Sequence, residues 1–180
     1  LINNPHLVHL DLSSNPIQAL PDNMPYWTQL RSLTLNQTQI QHIPKSIQSL
    51  SALEALCINY SPVAQIDEGI SALTSLHTLE LSMNQMTHVP ESMHHLTNLR
   101  RIYLYRSQLT QVPDCLRYLP ELEELNLTYN KITTIPDWFY NLTLNKLQIK
   151  GNRLQETSHD RILESFDDCD LRMRVADRME

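Results

Sequence analysis

The amino-acid sequence predicts an α/β fold: a curved, right-handed solenoid with a parallel sheet on its concave side and short helical turns on its convex side. Three observations predict it. An apolar residue, two variable residues, Leu or Ile, one variable residue, Leu or Ile, two variable residues and then Asn, Thr or Ser recur seven times in the 180 residues. The starts at Leu7, Leu30, Leu53, Leu76, Leu99 and Leu122 are 23 residues apart, and the last step, to Leu144, is 22. The second half of each copy is regular too, with Ile17, Ile40, Val63, Met86, Leu109, Ile132 and Leu154 two residues after the Asn position. Such a period marks units that bury an apolar face only by stacking on one another.

Each unit reads in order as strand, turn and helical turn. Leu10 and Leu12 flank Asp11, so two residues point in and one points out, the alternation of a strand. Asn15 and its equivalents follow, where the chain turns, and an Asn side chain there can bond backbone groups that have no ladder partner. Thr38, Ser61 and Ser107 are shorter substitutes, so looser turns are expected at those three. The apolar residue beyond is followed by Pro in Leu20-Pro21, Ile43-Pro44, Val89-Pro90, Val112-Pro113 and Ile135-Pro136, with Ile66-Asp67 in the third unit. Pro lacks an N–H and has a fixed φ, which suits the start of a helical turn. The inward residues of those turns are Met24/Trp27, Ile47/Leu50, Ile70/Leu73, Met93/Leu96, Leu116/Leu119 and Phe139/Leu142. Each unit then buries about seven apolar side chains against its neighbours.

With these residues the chain resembles the leucine-rich repeat family in its 23-residue form, over residues 7 to 157. The Leu/Ile/Val-Pro step resembles the intracellular branch, which includes Ras-pathway scaffolds, their plant relatives and secreted bacterial effectors. The resemblance implies a leucine-rich repeat solenoid, a horseshoe, that recognises a partner protein and is not an enzyme. The Gln-, His-, Asn- and Met-rich, Gly-poor composition is similar to that of effectors of intracellular bacteria, which places the chain in a host-cell cytosol.

Two regions are expected: the repeat array over residues 1–157 and a helical C-terminal cap or connector over 158–180. Thr157-Ser158-His159-Asp160 fits a capping box ahead of Ile162, Leu163 and Phe166. Leu171, Val175 and Met179 form a second stripe at four-residue spacing. The chain starts within a repeat without Met or a signal peptide, and so reads as part of a longer protein. Its apolar stretches are a few residues long, too short to cross a membrane. A formal charge of −6 argues against nucleic acid and against acidic membranes as partners. The three cysteines, Cys57, Cys115 and Cys169, are scattered, and the paired-Cys caps that extracellular members of the family carry are missing, so a reducing, cytoplasmic setting is expected. The Asn-X-Ser/Thr sites at Asn36, Asn59 and Asn126 fall on the concave sheet and, with Asn141, read as unmodified by-products of the repeat. The chain is expected to be a monomer without cofactor or metal.

The repeat phase assigns the outward positions. The early units carry small polar groups there, and units three to six carry the large ones. Tyr60, Met83, Arg106 and Tyr129 occupy one position in consecutive units and should form a ladder, with Tyr103 and Tyr105 beside it and Glu80 and Arg101 on the same face. Tyr and Arg are the types most enriched at binding hot spots. These eight residues are the candidate partner site. Arg100–Glu123 and Arg101–Glu124 are neighbours by phase and read as pairs that steady the sheet, at roughly 0–1 kcal/mol each.

No set of residues supports catalysis. His42 and His88 are equivalent but two units apart, His94 and His95 should face different ways, and no Cys/His spacing suits zinc. Cys115 belongs to a convex turn, and Cys57 should point outward from the sheet. Cys169, in Phe166-Asp167-Asp168-Cys169-Asp170, resembles the nucleophile of effectors that join leucine-rich repeats to a ubiquitin ligase domain. Those carry an acid two residues after the Cys, where this chain has Leu171. The alternative function, the substrate-recognition arm of such a ligase, therefore needs a catalytic domain outside these residues.

Overall fold

The computed structural model describes residues 4–22, 24, 27–155, 158, 161 and 162, and the backbone of 169 and 170. Its strands are β1 (His9–Asp11), β2 (Ser32–Thr34), β3 (His42–Ile43), β4 (Ala55–Cys57), β5 (Gln65–Ile66), β6 (Thr78–Glu80), β7 (Arg101–Tyr103), β8 (Glu124–Asn126), β9 (Lys146–Gln148) and β10 (Cys169–Asp170). Eight of them form one parallel, unclosed sheet in the order β1-β2-β4-β6-β7-β8-β9-β10, and β3 pairs with β5 on the flank. The register equals the sequence period: His9 pairs with Ser32, Leu10 with Leu33 and Asp11 with Thr34, and the same offset continues to β8. Parallel strands need a long crossover, and each repeat supplies it as a turn, a short helical segment and a return.

The middle residue of each strand is buried and its neighbours are exposed or half-buried, as the alternation requires. The convex turns are 3-10 helices of five residues: Lys45–Ser49, Glu68–Ala72, Glu91–His95, Asp114–Tyr118 and Asp137–Asn141. Pro44, Pro90, Pro113 and Pro136 sit just before them in extended backbone, so Pro sets the entry to each helix rather than its first turn. A 3-10 helix rises more per residue than an α-helix, which spans the back of the repeat with few residues.

Inner repeats are sealed. In repeat three Leu53, Leu56, Ile58, Val63, Ile70 and Leu73 are fully buried and Ile66 nearly so. The ends are not: Leu7, Leu12 and Ile17 at one, and Leu142, Leu144 and Leu154 at the other, are only partly buried. Leu142, expected to point inward, thus stays half-exposed because less of the array stacks over it. Of the expected C-terminal helical cap, the described residues show helix at Ser158 and Arg161–Ile162. Ile162 is fully buried, and Arg161 donates to Asp137 (2.9 Å) and lies over the Tyr140 ring. Beyond it Cys169–Asp170 pairs with Leu147–Gln148 and adds an eighth strand, which the sequence pattern did not reveal. The expected helix through Leu171, Val175 and Met179, and the residues Leu163 and Phe166, lie outside the described residues, so a helical cap is not established.

The Asn ladder closes the turns after the strands. Asn130 donates to Leu104 O (2.8 Å) and Leu127 O (2.9 Å) and accepts from Ser107 N (3.0 Å) and Leu109 N (2.9 Å). One side chain thereby joins two repeats. Ser61 makes long bonds to Leu35 O (3.5 Å) and Asn59 O (3.3 Å), but its hydroxyl also accepts from Thr38 N (3.0 Å) and bonds Thr38 Oγ1 (3.1 Å), so the looser turn expected there is tied to its neighbour instead. Ser107 does not follow that expectation either: it is fully buried and donates to Leu81 O at 2.8 Å. Asn130→Ala strands three backbone groups, Leu104 O, Ser107 N and Leu109 N, while Leu127 O keeps its bond from Asn152 Nδ2 (2.9 Å), and is expected to cost about 3 kcal/mol in urea unfolding, whereas Asn15→Ala, at the exposed first repeat, should cost about 1 kcal/mol or less.

Candidate functional site

Two sets of side chains line the concave side. The first stands on the strands. Glu80 on β6 neighbours Cys57 on one side and Tyr103 on the other, by register. Glu80 accepts from Asn59 Nδ2 (2.9 Å). The Tyr103 hydroxyl donates to Glu124 (2.7 Å), and burial together with that carboxylate pushes the Tyr103 pKa up to about 12. Burial, with Glu80 beside it, raises the Cys57 thiol to about 11. Arg101 donates through Nε to Thr78 Oγ1 (3.2 Å). The expected Arg101–Glu124 pair is therefore absent, because Tyr103 reaches Glu124 on the neighbouring strand and Arg101 turns the other way. The Arg100–Glu123 pair does form (3.1 Å), shared with Glu121 (3.4 Å).

The second set stands on the turn just past the strands. Ser14, Gln37, Tyr60, Met83, Arg106 and Tyr129 all have φ between 50° and 59°, the left-handed region. Each non-glycine residue held there costs about 1 kcal/mol or more. The conformation is held by the next repeat: Tyr60 N donates to Ser82 O (3.0 Å), Met83 N to Tyr105 O (2.6 Å), Arg106 N to Thr128 O (2.9 Å) and Tyr129 N to Lys150 O (2.8 Å). With the N–H turned toward the next repeat, the side chain is thrown outward onto the rim. Tyr60 and Tyr129 are accordingly 59% and 40% exposed, unusual for large hydrophobic groups in this chain.

The rim residues meet one another. The Tyr105 and Tyr129 rings pack edge to face at 5.7 Å. The Arg106 guanidinium carbon lies 5.4 Å from the Tyr105 ring centre and 5.2 Å from that of Tyr129, within cation–π range of both. Tyr60, Pro62, Met83, Gln85 and Arg106 line an open depression beside this group. The seventh repeat has Gly151 at the ladder position, φ 70°. A Cβ there would lie 2.5 Å from Tyr129 Cδ1, so Gly makes room for the ring. The structure thus joins Tyr105, Arg106 and Tyr129 directly, brings Tyr60 and Met83 alongside, and leaves Glu80, Arg101 and Tyr103 on the strands. Sequence phase located the ladder; it missed Glu124 and Asn59 as anchors of Tyr103 and Glu80, since only the register shows who reaches whom.

Groups considered for chemistry are held in structural bonds. His42 faces Asp67 at 2.9 Å. His94 and His95, expected to diverge, lie with ring centres 3.9 Å apart, because each Nδ1 bonds a carbonyl one turn back, of Glu91 and Ser92. Cys115 is fully buried, and its thiol is raised to about 12, chiefly by burial. Cys57 and Cys115 are free thiols; the side chain of Cys169 lies outside the described residues. Among the described residues no cluster of His, Cys, Asp or Glu could hold a metal, and no helix is long and apolar enough to cross a membrane.

Two outcomes are expected. A thiol at pKa about 11 is about a hundredfold less ionised at pH 8 than a free one. In a Cys169→Ser background, Ellman's reagent should therefore label the native protein slowly at about pH 8 and both remaining thiols promptly in urea. Gly151→Ala should drive the Tyr129 ring from its place and cost about 1–3 kcal/mol, measured by thermal or urea unfolding.

Comparison with known proteins bears on the array as a whole. The leucine rich repeat family model matches residues 5–63 and 106–154. No curated protein matches the chain. A solved leucine-rich repeat protein of Leptospira interrogans superposes with a TM-score of 0.77 at 22% identity. The match covers 92% of this chain but 48% of that one, so the chain spans about half its length. With seven in-phase repeats, an unclosed parallel sheet and a family model matching more than half of its residues, the chain belongs to the leucine-rich repeat family.

Proposed function

We propose that the chain is a protein-recognition module that binds its partner through the concave sheet and the adjoining rim, with Tyr60, Glu80, Met83, Arg101, Tyr103, Tyr105, Arg106 and Tyr129 as the contact set. Leucine-rich repeat domains generally bind partner proteins. The observation that carries the reading for this face is the Tyr105–Arg106–Tyr129 group. The fold needs only the backbone at the ladder position, since Ser14 and Gln37 serve equally in the first two repeats. Large amphipathic groups there add no core. They present area and hydrogen-bonding groups already ordered against one another, which lowers the entropy cost of association. Seven strands at about 4.8 Å spacing span about 30 Å, enough for a standard interface of roughly 800 Å² on each partner.

The module is read as a monomer working in a reducing cytosol, as a secreted bacterial effector in a host cell. The free Cys57 and Cys115 support the compartment. Alkylation of the native protein should find every cysteine reduced; a disulfide would overturn the compartment.

The binding face is tested by a pull-down from eukaryotic cell lysate with the chain and with a Tyr103→Ala/Tyr105→Ala/Arg106→Ala variant of equal thermal stability. A protein held by the first and lost by the second is the expected result. Equal retention by both would move the site to the convex face or to an end of the array.

A further inference from the structure

The charge of the chain is segregated in a way its net value hides. The seven-residue segments that follow the strands, residues 12–18, 35–41, 58–64, 81–87, 104–110, 127–133 and 149–155, contain no Asp or Glu. They do contain Arg106, Lys131, Lys150 and Arg153, all in the last three repeats. The convex turns carry the opposite balance: Asp67, Glu68, Glu91, Asp114 and Asp137 against Lys45 and Arg117. A chain of net charge −6 thus presents one cationic rim.

On that rim Arg106 is held in an unusual state. Its guanidinium rests against the rings of Tyr105 and Tyr129, and among the described residues no carboxylate or other acceptor takes its N–H donors. The other arginines of the sheet are engaged: Arg31 with Glu54, Arg100 with Glu121 and Glu123, and Arg101 with Thr78. A guanidinium resting against two rings keeps its edge donors for a planar anion. Beside it the depression over Met83, between Tyr60 and Arg106, offers apolar area. Lys131 lies two residues past Tyr129 and reaches Gln108 (3.3 Å) on the neighbouring rung, and Arg153 is its equivalent one repeat on.

We propose that this rim takes an extended acidic segment of the partner protein, with a carboxylate on Arg106, an apolar side chain over Met83 beside Tyr60, and further acids toward Lys131 and Arg153. The proposal rests on the reading of this face as a protein-binding surface and names the chemistry of what it binds. From Tyr60 to Arg153 the rim crosses five rungs, four spacings of about 4.8 Å or about 20 Å, which an extended segment of about six residues matches. The rim, not the net charge, decides the preference, because exposed charges more than a Debye length of about 8 Å away are screened at physiological salt.

The test is fluorescence anisotropy with labelled peptides of about eight residues that alternate Glu and Leu, Gln and Leu, or Lys and Leu, titrated to about 1 mM protein. Net charge alone favours the Lys peptide. The rim favours the Glu peptide, expected to bind about tenfold more tightly than the Gln peptide and to weaken as salt is added. Arg106→Gln and Met83→Ser should each cut Glu-peptide binding about five- to tenfold at unchanged melting temperature, while Arg117→Gln, on the convex face, should leave it unchanged. Glu and Gln peptides bound equally, a preference for the Lys peptide, or Arg106→Gln without effect would overturn the proposal. So would a single-stranded RNA of similar length that bound as well as the Glu peptide. The pull-down separates the two claims: a partner lost with the triple variant, together with no preference for the Glu peptide, would leave the protein-binding face standing and remove only its acidic ligand.

Discussion

The whole structure depends on one constraint: parallel strands pair with a register equal to the sequence period. Because Leu10 pairs with Leu33, Leu33 with Leu56 and Leu56 with Leu79, every position faces its own equivalent one repeat away. The core is therefore a stack of like residues, and so is each outward column. A slip of one residue would turn the buried leucines to solvent along a whole strand, which pins the register strongly. The same constraint makes every useful surface group part of a ladder.

The turns past the strands show how backbone needs and surface chemistry are separated. The buried Asn, Thr or Ser positions satisfy the backbone, as Asn130 does with four bonds across two repeats. The residue just before each is driven into the left-handed region by its N–H bond to the next repeat. Its side chain contributes nothing to the core, so its identity is free to vary. In this chain it varies from Ser14 and Gln37 to Tyr60, Met83, Arg106 and Tyr129, and ends at Gly151, whose missing Cβ leaves space for the Tyr129 ring. The recognition surface proposed for this protein is built at the positions where the fold asks least of the side chain.

The two ends meet a different requirement. An array of stacked units leaves apolar residues open wherever stacking stops. At the C-terminal end Ile162 is drawn fully into the core, Arg161 ties to Asp137 and Tyr140, and Cys169–Asp170 adds a strand beside β9. At the first repeat Leu7, Leu12 and Ile17 remain partly open.

The period, read alone, was enough to determine the solenoid, the inward set of each inner repeat and the column that holds Tyr60, Met83, Arg106 and Tyr129, because a repeat's neighbours in space are its neighbours in the sequence. What it left open are contacts that depend on the reach and direction of single side chains. Phase placed Arg101 beside Glu124, but Tyr103 took that carboxylate and Arg101 turned to Thr78. Phase set His94 and His95 apart, but their bonds to the backbone drew the rings together. The eighth strand at Cys169–Asp170 lies outside the repeat pattern and carries no periodic signal. The left-handed backbone that lifts the ladder onto the rim, and the two rings that close on Arg106, arise only when one repeat's carbonyls meet the next repeat's N–H groups, and that meeting is decided by tertiary structure.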